Sequence, residues 1–179
     1  GDVYKRQVEL VEPVDSIILS SGSTVFALGE EIRRRTWQNL NIVTPFLRLG
    51  VLLNDSEQVH VVQLGGSIHK TSLSVLGEEA SRGLDDCICS KLFFGADGID
   101  LEYGITTSTI EEAKLVRKMM KSCSRSILVV DSSKFGQRGF GRICSLEDVD
   151  VIVTDARLPE QTVALIEEAG IDLIVVDGE

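Results

Sequence analysis

The sequence predicts an α/β fold in which a mainly parallel sheet is flanked by helices, with room for a small additional subdomain. Short runs of β-branched apolar residues alternate with amphipathic stretches along the chain, which is typical of right-handed βαβ units. The residues are 43 % hydrophobic but only 5 % aromatic, and aliphatic side chains fill parallel strands that are buried under helices. Pro159 and Gly170 stand at the two ends of one amphipathic stretch, as expected for a helix start and a helix end.

The first half of the chain supplies three predicted strands and two predicted helices. Val25, Leu28 and Ile32 recur at helical spacing, and the charged residues around them are expected to face water. The predicted strands are 16–20, 40–44 and 59–64, and the predicted helices are 24–35 and a short one from about 46.

The second half continues the alternation of strands and helices. The predicted strands are 92–94, 127–130, 149–154 and 171–176, and the predicted helices are 76–84, 108–121 and 159–169. The stretch from Ser132 to Arg142 contains Gly136, Gly139 and Gly141 and is predicted to be a loop. Its composition leaves open whether the loop covers a ligand site or is an ordinary surface connection.

Charge and cysteine usage exclude several classes of function. The 28 acidic and 18 basic residues give a net charge of −10, which repels nucleic-acid phosphates, so we expect this chain itself not to bind DNA or RNA. The four cysteines form no C-x-x-C pair, and neither histidine is spaced with them as a ligand. We therefore expect reduced thiols, a cytoplasmic protein and no metal site. No apolar run is long enough to span a membrane, and no secretory signal opens the sequence.

The first seven residues do not fit the pattern of the remainder. Their sequence, GDVYKRQ, resembles the translated end of a sequencing adaptor, so we expect a non-native scar at residues 1–7. The domain is accordingly expected to comprise residues 8–179, with other natural sequence once preceding Val8.

The loop after the first predicted strand is the first candidate for a binding site, because ligands of open parallel sheets bind beyond the carboxyl ends of the strands. It consists of Ser21, Gly22, Ser23 and Thr24, directly before a helix. Gly22 allows a sharp turn, the exposed N–H groups and the helix dipole favour an anion, and the hydroxyls add donors. These residues predict a phosphate-binding loop, with a simple N-cap at Ser23 or Thr24 as the alternative. The lysine and the length of a P-loop are missing, so no nucleotide or other cofactor is expected.

Further candidates follow the other strands. Asp97, Asp100 and Glu112 offer carboxylates that can accept sugar hydroxyls, and Lys134 offers a cation for a phosphate. Tight turns, an Asx turn and a solvated lysine are the plainer interpretations of the same residues. With two histidines and no nucleophile-elbow pattern, no catalytic residue is assigned. The candidates that follow the phosphate-binding loop are, in chain order, Gly65, Gly66, Asp97, Gly98, Asp100, Glu112, Asp131 and Lys134.

Seven segments, taken in order, resemble the C-terminal sensor domain of DeoR-type transcriptional repressors. They are SSGST, NIVTPFLRLG, VVQLGGSIHK, LFFGADGIDLEYGITT, EEAKLVRKMM, LVVDSSKFG and DVIVTD, and the resemblance runs from about Val14 to the C-terminus. It implies a domain that binds a phosphorylated sugar or related metabolite. In the family, a winged helix-turn-helix precedes this domain and binds DNA, and we expect that module to be missing from this chain. We also expect a homo-oligomer.

The resemblance assigns roles to the candidate residues by position. The second strand ends at Pro45 where the family often has asparagine, so the identity of the ligand cannot be copied from a better-known member. The matches are Ser21, Gly22, Ser23 and Thr24 for the phosphate loop, Gly65 and Gly66 for a glycine pair, Asp97 and Gly98 for the loop after the middle strand, Glu112 for the acid opening the next helix, and Asp131 and Lys134 for the D-x-S-K motif.

The segment GADGID also resembles a stretch of ribose-5-phosphate isomerase, which implies a Rossmann-like fold of the isomerase/CoA-transferase-like kind. The isomerases carry a lysine in a glycine-rich segment soon afterwards, and residues 101–107 contain none. Enolisation then lacks a group that stabilises the developing oxyanion. We therefore expect a sensor and not an enzyme. A sugar-phosphate isomerase and a ligand-independent oligomerisation module stay open as alternatives.

Overall fold

The computed structural model describes residues 6–177 and confirms the predicted α/β fold. Its strands are β1 (Val14–Leu19), β2 (Asn39–Thr44), β3 (Val59–Gln63), β4 (Ser67–His69), β5 (Ser74–Leu76), β6 (Cys89–Phe94), β7 (Gly98–Asp100), β8 (Gly104–Thr107), β9 (Cys123–Val129), β10 (Gly141–Cys144), β11 (Val151–Asp155) and β12 (Asp172–Val176). Its helices are α1 (Ser23–Arg34), α2 (Leu47–Leu53), α3 (Glu78–Arg82), α4 (Ile110–Lys121) and α5 (Glu160–Glu168).

Seven of the strands form the central sheet, and every neighbouring pair in it is parallel. Their order is β12-β11-β9-β6-β1-β2-β3. Ile17 and Leu19 of β1 belong to the apolar cluster on one face of the sheet, and Ile18 belongs to the cluster on the other face. The strands are therefore apolar on both faces, as expected for a parallel sheet that lies between two layers.

Helices cover both faces of this sheet. On one face, α1 contributes Val25, Leu28 and Ile32 to the apolar cluster, together with residues of α2. On the other face, α4 contributes Ala113 and Val116. The predicted helical spacing of Val25, Leu28 and Ile32 is confirmed, because all three side chains are buried.

The chain changes direction across the sheet at β1. From β1 the connections run to β2 and β3 on one side, and from β6 they run to β9, β11 and β12 on the other side. The ends of β1 and β6 lie side by side, and the Ser20 N–H donates to the Phe93 carbonyl oxygen at 3.1 Å. This topological switch point is where open α/β sheets bind ligands.

Short antiparallel strands were not predicted from the sequence. β4 pairs with β5, while β7, β8 and β10 form a three-stranded sheet. The predicted helix 76–84 is wrong at its start, since Leu76 ends β5 and α3 begins only at Glu78. Gly77 separates the two elements because its φ of 95° does not fit a right-handed helix.

The glycine-rich segment predicted as a loop packs against the three-stranded sheet. The Gly136 N–H donates to the Ile99 carbonyl oxygen at 2.8 Å, and the Gly139 N–H donates to Thr106 Oγ1 at 2.7 Å. A Cβ on Gly139 would collide with the Thr107 carbonyl, so glycine permits this close approach. The part from Gly136 to Gly141 is therefore a packed connection that leads into β10, whereas Lys134 in the same segment lines the cleft described below.

The start of the described chain packs on the domain. Residues 1–5 of the predicted scar lie outside the described residues, whereas Gln7 is buried and its Nε2 donates to the Thr24 carbonyl oxygen at 2.9 Å. The domain boundary at residue 8 stays a prediction. No helix within residues 6–177 has the length and apolar character needed to cross a membrane.

Candidate functional site

A cleft of about 560 Å³ opens at the topological switch point. It lies where the loops that follow β1, β2, β6, β8 and β9 meet, with the turn between β4 and β5 at one side. Eight of the predicted site residues line it: Ser21, Gly22, Ser23, Thr24, Asp97, Glu112, Asp131 and Lys134. The volume falls in the usual range for small-molecule sites.

The loop after β1 presents the start of α1 to this cleft. Gly22 is the N-cap residue, with φ 113° and ψ 167°, and it provides no side-chain cap. The structure therefore contradicts the alternative that Ser23 or Thr24 is a simple N-cap, since both belong to the helix itself. The first N–H groups of an α-helix have no partner within the helix, and the helix dipole adds positive charge there. The loop thus supplies donors for an anion.

A glycine outside the predicted site brings the next loop against this one. Gly95 follows β6, and a Cβ on it would lie 2.9 Å from Thr24 Oγ1. The loops after β1 and β6 are therefore in contact at the floor of the cleft. The only signal in the sequence was the glycine at a strand end, which is also typical of an ordinary turn.

Two carboxylates on the β6 side are held by hydroxyls. Asp97 Oδ2 accepts from Ser108 Oγ at 2.8 Å, and Glu112 Oε2 accepts from Thr107 Oγ1 at 3.0 Å. Thr109 caps α4, because its side chain accepts from the Glu112 N–H at 3.1 Å. The carboxylates keep further lone pairs that can accept ligand hydroxyls.

The loop after β9 carries Lys134 into the cleft. Asp131 Oδ1 accepts from the Ser133 N–H at 2.9 Å and caps a short 3₁₀ turn, Ser132–Lys134. Lys134 forms no ion pair with any carboxylate of residues 6–177. Its positive charge is therefore available to a ligand.

Asp155, at the end of β11, anchors the same loop from below. Its Oδ2 accepts from the Ser132 N–H at 2.7 Å, and its Oδ1 accepts from the Arg157 N–H at 3.0 Å. Burial alone would raise the pKa of Asp155, but the hydrogen bonds from Ser132 and Arg157 outweigh it and lower this pKa from its ordinary 3.8 to about 2. Sequence reasoning missed this residue, because its role depends on the neighbouring strand.

The β2 side of the cleft was also missed. It is lined by Arg48 of α2, by His69 at the end of β4, and by Thr71 and Ser72 of the β4–β5 turn. The Arg48 Cζ lies 4.1 Å from the centre of the Phe26 ring. Nothing in the sequence indicated that a hairpin folds back over the end of β2.

Four predicted site residues are not among those that line the cleft: Gly65, Gly66, Gly98 and Asp100. Asp100 Oδ1 accepts from the N–H groups of Glu102 and Tyr103 at 2.8 and 2.9 Å, and its Oδ2 pairs with Arg138. The hydrogen bond from Tyr103 is the main reason why the pKa of Asp100 lies below its usual range. Gly98 instead allows close approach of the Gln137 carbonyl.

The described chain offers no clear metal site. Within residues 6–177 no three His, Cys, Asp or Glu side chains are grouped so that they can hold a metal ion. The cleft combines the start of α1 with two cations, Arg48 and Lys134, and three carboxylates, Asp97, Glu112 and Asp131. These groups are suited to recognising a polar, anionic small molecule.

A parallel sheet with a cleft at its switch point defines a Rossmann-like α/β domain. Residues 2–156 match the family model for the DeoR C terminal sensor domain. The chain belongs to this family.

Curated relatives are named as transcriptional regulators. The putative aga operon transcriptional repressor of Escherichia coli O157:H7 is 33 % identical over 174 residues, which cover 97 % of this chain and 64 % of that protein. The lactose phosphotransferase system repressor of Staphylococcus epidermidis is 32 % identical over 155 residues, covering 86 % of this chain and 60 % of that protein. This chain spans less than two thirds of either relative.

Solved structures share the fold at low identity. Ribose 5 phosphate isomerase A from Neisseria gonorrhoeae superposes with a TM-score of 0.54 at 16 % identity, covering 76 % of this chain and 52 % of that one. The probable sor operon regulator from Shigella flexneri superposes with a TM-score of 0.53 at 11 % identity, covering 93 % of this chain and 83 % of that one. These likenesses confirm the predicted Rossmann-like, isomerase-like fold.

Replacing Gly22 with alanine tests the backbone of the loop. We expect Gly22→Ala to lower the free energy of unfolding by about 1–3 kcal/mol, because only glycine adopts this φ and ψ without strain. A Cβ at this position meets no atom within 4 Å, so the cost arises from the backbone alone. Denaturant unfolding measures it, with Ser23→Ala as the control that removes a hydroxyl without straining the backbone. Equal stability of Gly22→Ala and the unaltered chain would contradict the described loop.

The pH dependence of stability tests the anchor at Asp155. Its folded-state pKa is depressed to about 2, so its contribution is present above pH ~4 and is lost as the pH falls towards 2. The shift corresponds to about 2 kcal/mol. We expect Asp155→Asn to remove this part of the acid destabilisation in unfolding experiments between pH 5 and pH 2, whereas the exposed control Asp172→Asn should keep it. If the free energy of unfolding of Asp155→Asn falls with decreasing pH as steeply as that of the unaltered chain, the charge of Asp155 does not stabilise the fold.

Proposed function

We propose that this domain is the ligand sensor of a transcriptional regulator and that its ligand is a phosphorylated sugar. The observation that carries the proposal is the pairing of the Ser21–Thr24 loop with Lys134 in one cleft. An uncapped helix start favours an anion, and a lysine without an acidic partner adds a full charge. Family membership and the names of the relatives support a regulatory role.

The phosphate is expected at the start of α1. Backbone N–H groups of the helix's first turn bind a phosphate without any sequence-specific side chain, and Ser21 and Ser23 add hydroxyl donors. Lys134 completes the site as a point charge. Hydrogen bonds to charged groups contribute about 1.5–3 kcal/mol each, so loss of the lysine should weaken binding strongly.

The sugar is expected on the β6 side of the same cleft. Asp97 and Glu112 are held in place by hydroxyl donors and retain acceptor capacity, which suits the hydroxyl groups of a sugar. Carboxylates at this position also disfavour a second phosphate beside them, so they orient the ligand. The proposed ligand therefore places a phosphate at the start of α1 and hydroxyl groups against the β6 side of the cleft.

In the proposed regulator, ligand binding controls DNA binding by another part of the protein. The net charge of −10 makes this chain itself a poor partner for DNA, and the relatives extend well beyond the region that it matches. A ligand that binds one conformation better than another shifts the balance between them. We propose that the protein acts in the cytoplasm as a homo-oligomer, without catalysing a reaction.

Thermal unfolding against a panel of sugar phosphates and their parent sugars tests the ligand class. An ester at about 100 times its Kd should stabilise the domain by about 2.7 kcal/mol, which corresponds to a rise in Tm of about 5–10 °C. The parent sugar should give no shift, because it lacks the anion. Lys134→Gln should abolish most of the shift, and Lys121→Gln, which removes a lysine from the far end of α4, should leave it intact. Equal shifts from ester and parent sugar would contradict a phosphate site.

A sugar-phosphate isomerase is the second candidate, favoured by the shared fold and by Asp97 and Glu112 in the cleft. We expect no turnover of ribose 5-phosphate in a coupled assay, because the β7–β8 turn supplies no lysine and Asp100 pairs with Arg138. Turnover that is lost in Asp97→Ala would favour the enzyme over the sensor.

A further inference from the structure

The two walls of the cleft differ in charge. The wall formed by the loops after β6 and β9 and by α4 carries three carboxylates, Asp97, Glu112 and Asp131, together with Lys134. The opposite wall, formed by α2 and the β4–β5 turn and called the β2 wall below, carries Arg48 and His69 with no carboxylate among its lining residues. An anionic group away from Lys134 is therefore disfavoured beside the three carboxylates and favoured beside Arg48.

Arg48 is positioned without an acidic partner. Its guanidinium stacks over the Phe26 ring at 4.1 Å, and it forms no ion pair with a carboxylate of residues 6–177. The Phe46 ring packs edge-on against Phe26, with the ring centres 6.1 Å apart. A planar guanidinium held in this way keeps its five donors free for a phosphate or a carboxylate.

The β4–β5 turn adds neutral donors beside Arg48. His69 Nδ1 accepts from the Ser72 N–H at 3.3 Å and lies 3.0 Å from Ser72 Oγ, so both of these contacts are made by Nδ1 and neither uses Nε2. The turn is tied to the chain after β2, because the Leu47 N–H donates to the Leu73 carbonyl oxygen at 3.1 Å. Val75 is tied in the same way to Pro45, at 3.0 Å. The turn and the segment that carries Arg48 are therefore hydrogen-bonded to each other and form one wall of the cleft.

Lys134 and Arg48 approach the cleft from well-separated strands. Lys134 follows β9 and Arg48 follows β2, and these strands are three positions apart in the sheet. At about 4.8 Å per position, their backbones lie about 14 Å apart. The Ser21–Thr24 loop stands between them, so the two cations occupy opposite sides of the proposed phosphate site.

We propose that Arg48 and the β4–β5 turn form a second anion subsite, and that the effector is a sugar phosphate with a second anionic group. The second group is a phosphate or a carboxylate, which the guanidinium recognises by the same paired hydrogen bonds. This inference rests on the proposed function, since it adds a second subsite to the same cleft. It narrows the class of proposed ligands from sugar phosphates in general to those with two anionic groups.

Titration with inorganic phosphate counts the anion subsites without any choice of sugar. In ¹⁵N NMR spectra of the full chain, the Gly22 amide reports the loop and the Arg48 Nε–H reports the β2 wall. We expect two independent binding curves, with Lys134→Gln weakening only the curve at Gly22. Arg48→Gln should leave the Gly22 curve in place. One shared curve that both substitutions weaken equally would show a single phosphate site and overturn the inference while leaving the proposed function standing.

Calorimetry with three probes identifies the second group. The probes are a hexose 6-phosphate, a hexose 1,6-bisphosphate and a 6-phospho sugar acid, each titrated into the unaltered chain, Arg48→Gln and the control Arg35→Gln. Arg35 is exposed at the end of α1, outside the cleft, and its loss changes the net charge equally. We expect Arg48→Gln to weaken the bisphosphate or the sugar acid by about tenfold or more and the monophosphate by less than about twofold.

The outcomes separate the two proposals. A loss confined to the bisphosphate identifies a second phosphate, and a loss confined to the sugar acid identifies a carboxylate. Equal weakening of all three probes by Arg48→Gln overturns the second subsite, because Arg48 would then contact the shared phosphate. If inorganic phosphate and all three probes fail to bind, the proposed function and the inference both fall.

Discussion

The position of β1 between β2 and β6 is the constraint on which the remainder of the domain depends. Because the chain runs from β1 to one side and from β6 to the other, the loops that leave these two strands diverge and open a cleft. At the floor of that cleft the Gly95 backbone lies against the Thr24 hydroxyl, an approach that the absence of a Cβ permits. The helix that follows β1 then points its uncapped start at the open space. The proposed anion site thus depends on the topology and on two glycines, Gly22 and Gly95.

Elements with strong local signals were predictable from the sequence. The spacing of Val25, Leu28 and Ile32 predicted α1, and apolar runs predicted the central strands. Both signals exist because the side chains that are buried in the core must be apolar and recur with the period of the helix or strand. The strands of the small sheets have three or four residues each, which is too few to show a period. The sequence predicts Gly77 inside a helix, whereas its φ of 95° places it at the boundary between β5 and α3.

The site was predictable only where neighbours in sequence are also neighbours at a strand end. Ser21 to Thr24 and Lys134 were found in this way, since each follows a strand directly. Asp100 stands only three residues after Asp97, but a new strand, β7, begins between them. Asp100 is the last residue of that strand and pairs with Arg138 instead of lining the cleft. Arg48, His69 and Asp155 were not predicted. Arg48 and His69 line the cleft only because the β4–β5 hairpin packs over the end of β2, and Asp155 binds the loop after β9 only because β11 lies beside β9.

A crystal structure of the chain with the sugar phosphate that raises its Tm most would test the central claim directly. The account predicts a phosphate within about 2.7–3.2 Å of the N–H groups at the start of α1, with Lys134 Nζ on it and the sugar hydroxyls against Asp97 and Glu112. A phosphate bound outside the switch-point cleft, or an ester whose phosphate points towards Asp97 and Glu112, would contradict it.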